Sequence, residues 1–418
     1  MALTRISRFG ETTAGAHRSG VSLHSHTQYS KEALTFMPAW AARTPLVGVF
    51  VKRAISRYTE FFGHPPDFSH AFWTPPLPPR AVFDSESEQI TSRLQLSPLV
   101  SITDHDTIEA GVALSVLGLG EEIPISVEWS VPYRGTVFHL GIHNLPPESA
   151  AEMMSQFAAY TLAPTDVRLQ ELLVWLNEQP QVLVVLNHPF WNRHVDCDQD
   201  LPALASLIDG YRTLIHATEV NGFRDMAENR RVVNAALDWD MPVVAGGDRH
   251  GRSANPLLNV SAATTFAGFV HEVRADCMSE IVVMPEYRES LGARVLTSVA
   301  EILQHDAALA PDRQFWTQRL FITWDDGIVR PMSASWGDAG PWWVRLSVGT
   351  VCALGSMRGR WALGLAMTVD DGEMHEPRVA APSLALESAV LETAGTDTGG
   401  ALRRRDRAIG ATRWVDWA

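Results

Sequence analysis

The sequence predicts an α/β protein of barrel type, on three observations. Short apolar runs recur between residues 20 and 250, spans compatible with helices separate most of them, and each run ends in His, Asp, Glu or Asn. Alternating strands and helices build a parallel sheet covered on both faces. In a barrel, the carboxyl ends of the strands are where an active site collects.

Composition bounds the rest. The chain has 418 residues, 46% hydrophobic and 20% charged, enough for a full core and more than one domain. A formal charge of -14 argues against broad nucleic-acid binding, which needs a basic footprint. The cysteines Cys197, Cys277 and Cys352 are odd in number and lack CxxC spacing, so neither a disulfide framework nor a thiolate zinc site is expected. With no apolar core in MALTRISRFGETTAG, the expected location is the cytoplasm. The apolar stretch 344–367 is interrupted by Arg345, Arg358 and Arg360, and no membrane span is expected.

The first run, residues 21–26 (VSLHSH), brings His24 and His26 two apart, on one side of an extended segment. Lys31 and Glu32 then open an expected helix. Residues 38–80 are rich in proline and aromatics and read as an insertion or lid, with His64 and His70 as structural or surface residues. Ser85 and Glu88 have capping-box spacing ahead of a short helix carrying Ile90 and Leu94.

Residues 99–106 (LVSITDHD) end in Asp104, His105 and Asp106; residues 125–130 (ISVEWS) carry Glu128; residues 137–143 (VFHLGIH) carry His139 and His143. Leu169, Leu172, Leu173 and Leu176 mark one face of an amphipathic helix. Residues 182–189 (VLVVLNHP) read as a buried parallel strand ending at His188, and residues 217–222 (ATEVNG) bring Glu219 and Asn221. A helix is expected over 226–239. The series closes on residues 241–250 (MPVVAGGDRH), a strand left through two glycines that presents Asp248 and His250 two apart. Taken alone, this last stretch reads as an ordinary strand-to-helix loop. Seven such runs converging is another matter, because so many ionisable groups buried together are costly unless cations pair them.

These residues resemble the PHP (polymerase and histidinol phosphatase) superfamily of metal-dependent phosphoesterases. LHSHTQYS is similar to its first motif, SITDHDTIEAG to its second, the separated Glu128, His139 and His188 to its third set, and GGDRH to its closing motif, in order over residues 20–255. The resemblance implies a distorted seven-stranded (β/α) barrel, here residues 1–265. An insertion follows the first strand, a C-terminal α+β extension spans 266–385, and a tail covers 386–418. It also implies two to three divalent ions, Mn, Fe or Zn. One would be held by His24, His26, Glu128 and Asp248; a second, sharing Glu128, by His139 and His188; a third by His105 and His250. A shell of imidazoles and carboxylates suits those metals. Where relatives place a His or Asp after the first motif, this chain has Lys31 and Glu32, and of these Glu32 could serve as a ligand.

The implied reaction is hydrolysis of a phosphate ester, on a small phosphorylated substrate, by a metal-activated water. Asp104 would orient a ligand or work as a base, and Asp104 or His250 could protonate the leaving oxygen. Arg249 or Arg252 would clamp phosphate or form a surface salt bridge. His143 faces the same side as His139, while His194 and His216 read as structural or rim residues. An amidohydrolase-like attack on a carbonyl and a non-catalytic metal-binding scaffold are the competing readings. Beyond residue 255, Leu291, Val295 and Ile302 suggest a helix, and the Trp-rich stretch after Pro311 suggests strands and turns packed as a core.

Overall fold

The computed structural model describes residues 2–11, 16–34, 70–118, 123–191, 200–324 and 326–356, with a few positions between 53 and 63. His64, His194, most of the expected insertion and the expected tail lie outside the described residues.

The strands are β1 (Leu3–Arg8), β2 (Ser19–Ser22), β3 (Glu32–Ala33), β4 (Phe72–Trp73), β5 (Ser97–Val100), β6 (Ile125–Tyr133) and β7 (Thr136–Leu145), then β8 (Leu183–Asn187), β9 (Ala217–Asn221), β10 (Val243–Gly246), β11 (Leu257–Ser261), β12 (Met278–Val283), β13 (Leu320–Thr323) and β14 (Val329–Pro331). They form a mixed α/β structure with sheets ordered β1-β12-β11-β2-β5, β10-β9-β8-β7-β6 and β14-β13-β4-β3. Two isolated parallel bridges connect the first two sheets, Ser25 to Arg249 beyond β2 and β10, and His105 to Glu128 beyond β5 and in β6.

Each of the seven polar-ended runs contains one strand, but the pairing is not parallel throughout. β7 runs antiparallel to both β6 and β8. The reason is local. Only Arg134 and Gly135 separate Tyr133 from Thr136, both at positive φ (48° and 84°), the geometry of a two-residue hairpin. A helical crossover needs a dozen residues or more. Reversal brings His139, near the start of β7, opposite Asn187 at the end of β8.

Three further expectations are corrected. Residues 31 and 32 open no helix; Glu32 lies in β3 and pairs with Trp73. Ser85 and Glu88 form no capping box, because the helix Pro79–Gln89 already starts at Pro79, where a missing N–H costs nothing. The boundary expected at residue 265 falls inside a sheet, since β11 and β12 pair with each other and with β2 and β1. The C-terminal β13 pairs with β4, so the extension and the end of the insertion share a sheet with Glu32.

Burial follows the periodicities. In β8, Leu183 and Val185 join Val21, Leu23, Ala217 and Val244 in one core, while Val184 and Leu186 join Leu169, Leu172, Leu173 and Leu176 in another. Alternate side chains of one strand thus serve opposite faces, the period-two rule at work. The helix Asp166–Glu178 is held at its start by Thr165, whose side chain accepts from the Arg168 N–H.

His216 is structural, tying β8 to that helix. Its Nδ1 accepts from the Val184 N–H at 2.9 Å and its Nε2 lies 3.1 Å from Asn177 Oδ1. Burial, with Arg274 nearby, pushes its pKa down to about 3. A histidine kept neutral by folding adds stability above its ordinary pKa of about 6.5 and loses it as pH falls toward 3. Acid titration of unfolding is therefore expected to show stability falling below pH 6.5, with a shallower slope in His216→Gln; equal slopes would contradict this assignment.

Candidate metal centre

The site lies where the strands of the first two sheets end. Just beyond β2 and β10, and at the end of β8, the backbone turns sharply: His24, Asp248 and His188 adopt φ of 62°, 50° and 27°. A side chain with a Cβ pays roughly 1–2 kcal/mol for each such left-handed residue. Strain of this kind concentrates at functional sites. His24, His26, Glu128, His139, His188 and Asp248 are buried there, and His105 and His250 lie at the half-buried edge.

Glu128 is the centre. Its Oε2 lies 3.1 Å from His24 Nε2, 3.4 Å from His26 Nε2 and 3.3 Å from His105 Nδ1. Its Oε1 lies 3.1 Å from both His139 Nδ1 and His188 Nε2. Asp248 Oδ1 completes the first set, 3.7 Å from His24 Nε2 and 3.5 Å from His26 Nε2. Among the described residues, four groups of His and carboxylates are placed to hold metal: His24, His26 and Asp248; His24, Glu128 and His188; His105, Glu128 and His139; and His26, Glu32, His105 and His250.

The donor atoms fit cations. His24 Nε2, His26 Nε2 and Glu128 Oε2 are buried and make no hydrogen bond, although they lie within ion-pair reach of one another. Glu219 explains the orientation of His24. Its Oε1 sits 2.6 Å from His24 Nδ1, so the imidazole donates there and turns the Nε2 lone pair into the site. The other Glu219 oxygen accepts from the His188 N–H at 3.0 Å and from Asn221 Nδ2 at 3.0 Å. Nothing beyond its strand-end position marked Glu219 in the sequence.

Glu32, not Lys31, enters the cluster. Its carboxylate lies 3.2 Å from His250 Nε2, 3.4 Å from His105 Nε2 and 3.7 Å from His26 Nδ1. Lys31 is exposed, its ammonium 5.5 Å from the Phe72 ring. Alternation along the extended chain entering β3 makes the choice: Glu32 is buried, while Lys31 before it and Ala33 after it are exposed. Ser30, unmarked in the sequence, donates to Glu32 Oε1 at 2.6 Å and accepts from the His105 N–H at 3.1 Å.

Without cations the charges compensate one another. Burial works against charge on Glu128, but His24, His105 and His139 outweigh it and hold its carboxyl well below the usual range. The same contest, won by His250 and His105, lowers Glu32. Burial and the neighbouring His250 push His26 down to about 4, whereas Glu128 and Glu219 overcome burial to raise His24.

Two of the expected catalytic residues are engaged elsewhere. Asp104 is buried with both oxygens on Thr27, Oδ1 2.5 Å from its N–H and Oδ2 2.6 Å from its hydroxyl. Burial raises its pKa to about 7. The contacts anchor the turn after His26. Arg249 makes a buried salt bridge, not a surface one. Its side chain is buried against Glu86, 3.0 Å away. Arg252 pairs with Asp306. The guanidinium beside the site is instead Arg224, 3.0 Å from Asp248 Oδ2 and stacked 4.8 Å over Trp191. His143 sits behind the ligands, its Nδ1 2.7 Å from Ser101 Oγ. Trp191 lies against His188 and His139, and Trp73 against His250, so indoles flank two sides. A cavity of about 400 Å³, lined in part by Glu88, Arg93, Arg249 and Arg294, holds none of the candidate ligands.

No described helix is long and apolar enough to cross a membrane. Compared with solved structures, the chain is similar to a proposed metal-dependent phosphoesterase from Bifidobacterium adolescentis, at 19% identity and a TM-score of 0.28 over 43% of this chain and 84% of that one. It is also similar to PsfC from Pseudomonas syringae PB-5123, at 14% identity and a TM-score of 0.34 over 65% of this chain and 93% of that one. No family model and no curated protein matches it.

Proposed function

We propose that this chain is a metal-dependent phosphoesterase, with a barrel of PHP type carrying a di- or trinuclear site at one end. The ring would run β2, β5, β6, β7, β8, β9, β10 and back to β2, closed by the two isolated bridges that join the first two sheets. The observation that carries the functional reading is Glu128, a buried carboxylate whose two oxygens face different sets of imidazoles. One carboxylate shared in this way suits two neighbouring cations.

His24, His26, Glu128 and Asp248 would hold one ion, Glu128 with His139 and His188 a second, and Glu32, His105 and His250 a third. Divalent ions bound there would supply positive charge to a phosphoryl group and a nucleophile at neutral pH. The chain's own groups do the rest. Glu219 and Asp104 keep the first two histidines oriented, and Arg224 holds Asp248 through its outer oxygen. Trp73 and Trp191 pack against the histidines at the flanks. With only the first two ions bound, His250 is the group placed to pass a proton to the leaving oxygen through Nε2: its Nδ1 donates to the Asp248 carbonyl at 2.8 Å, and although burial lowers its pKa, Glu32 beside it raises it. As a ligand of a third ion it could not do so.

The test is elemental analysis of protein purified without chelator, with aryl phosphate hydrolysis measured before and after stripping. Two or more equivalents of Mn, Fe or Zn, and activity lost on stripping and restored by metal, support the proposal. Folded protein that stays inactive after reconstitution would favour a scaffold, and turnover of an aryl amide or lactone instead would favour carbonyl hydrolysis. The same assay separates the two residues after the first motif. Glu32→Gln is expected to lose about one equivalent, and Lys31→Ala none; the reverse pattern would remove Glu32 from the site.

A further inference from the structure

We propose that Asn187 is a positioning residue that fixes the rotation of the Glu128 carboxylate, and that position 141 is glycine to make room for it. The inference rests on the metal-dependent reading of Glu128 given above. Asn187 is the last residue of β8 and is buried, and its Nδ2 donates to Glu128 Oε1 at 3.1 Å. A carboxylate only accepts, so the amide nitrogen must face it and the carbonyl must turn away. That Oδ1 is buried without a hydrogen bond. An amide held with one end unsatisfied is an uncommon arrangement, and each instance calls for an explanation.

Gly141 shows where the carboxamide lies. It sits directly opposite Glu128 in the β6–β7 register and opposite Val185 in β8, two residues from Asn187 on the same face. A Cβ at position 141 would come 2.8 Å from Asn187 Oδ1, 3.3 Å from its Nδ2 and 2.8 Å from His143 Nε2. The carboxamide therefore passes over the bare glycine backbone to reach the carboxylate, and His143 backs it from the other side. His143 is itself held at Ser101, whose hydroxyl donates on to Ser126 at 2.8 Å, so neither can easily retreat.

The consequence is rotational. Asn187 occupies one lone-pair direction of Oε1, the oxygen that faces His139 and His188, and leaves Oε2 with His24, His26 and His105. Without that hydrogen bond the carboxylate can turn and present both oxygens to one set of imidazoles. Outer contacts of this type typically change metal affinity about 10- to 100-fold.

The experiment is Mn²⁺ titration calorimetry on the full chain after chelator treatment. It compares wild type, Asn187→Leu, Gly141→Ala and the double variant, with circular dichroism confirming that each is folded. Leucine keeps the approximate size of asparagine but cannot donate. Expected is a loss of about 10- to 100-fold at one equivalent in each single variant, the other equivalent unchanged. The double variant should be no worse than Asn187→Leu, because the added methyl acts by displacing the carboxamide. Wild-type affinity in Asn187→Leu, or losses that add in the double variant, would overturn the positioning role alone. A wild type that binds none of Mn²⁺, Fe²⁺ and Zn²⁺ in the same titration would overturn the metal-dependent reading and this inference with it.

Discussion

Glu128→Gln is expected to lose at least one bound cation and to reduce phosphate-ester hydrolysis by more than about 100-fold, beyond the usual range of an outer contact. The substitution is almost isosteric, so packing hardly changes, but it replaces one acceptor oxygen with an NH₂ group that repels cations. Five imidazoles, those of His24, His26, His105, His139 and His188, come within 3.4 Å of the carboxylate oxygens, and no other described carboxylate faces both sets. The measurement is metal content beside kcat and KM for an aryl phosphate, with Glu219→Gln as comparison. Glu219 touches His24 and the His188 amide but stands outside the ligand sets, so its loss should fall within about 10- to 100-fold. Equal effects from the two variants would mean that Glu128 bridges nothing.

Much of this candidate centre is legible in the sequence. The candidate ligands are polar residues at the ends of apolar runs, a signal that survives because strand ends in an α/β fold converge on one place. What escaped were partners fixed by contact across the chain. Glu219 meets a histidine 195 positions away, and Arg224 meets an aspartate 24 positions away. Ser30 could have been suspected only from the turn that carries it. A two-residue connection between residues 133 and 136 cannot hold a crossover helix, so the reversal of β7 could have been read from spacing alone. The insertion was harder, because β4 earns its place by pairing with β13 nearly 250 residues later, and local pattern carries no such information.

Arg249 gives the second large expectation, in stability rather than turnover. The chain turns sharply at Asp248, and the next residue, Arg249, is placed against Glu86 at 3.0 Å. Both are almost fully buried, and Glu86 also accepts from Ser22 Oγ and the Asn255 N–H, joining β2, the helix Pro79–Gln89 and the loop after β10. Removing one member of such a pair leaves an uncompensated buried charge, so Arg249→Ala should lower the unfolding free energy by about 3–5 kcal/mol. Replacing both members with apolar residues of similar size, Glu86→Leu with Arg249→Met, should recover much of that loss. Denaturant unfolding of the metal-free protein reads both variants. A phosphate clamp makes the opposite prediction: Arg249→Ala would keep wild-type stability and raise KM, and adding the second substitution would rescue nothing. Because Arg249 continues directly from Asp248, the buried pair also holds the segment that presents a ligand. Any activity lost in Arg249→Ala should therefore return with the double substitution, which no direct contact with substrate would allow.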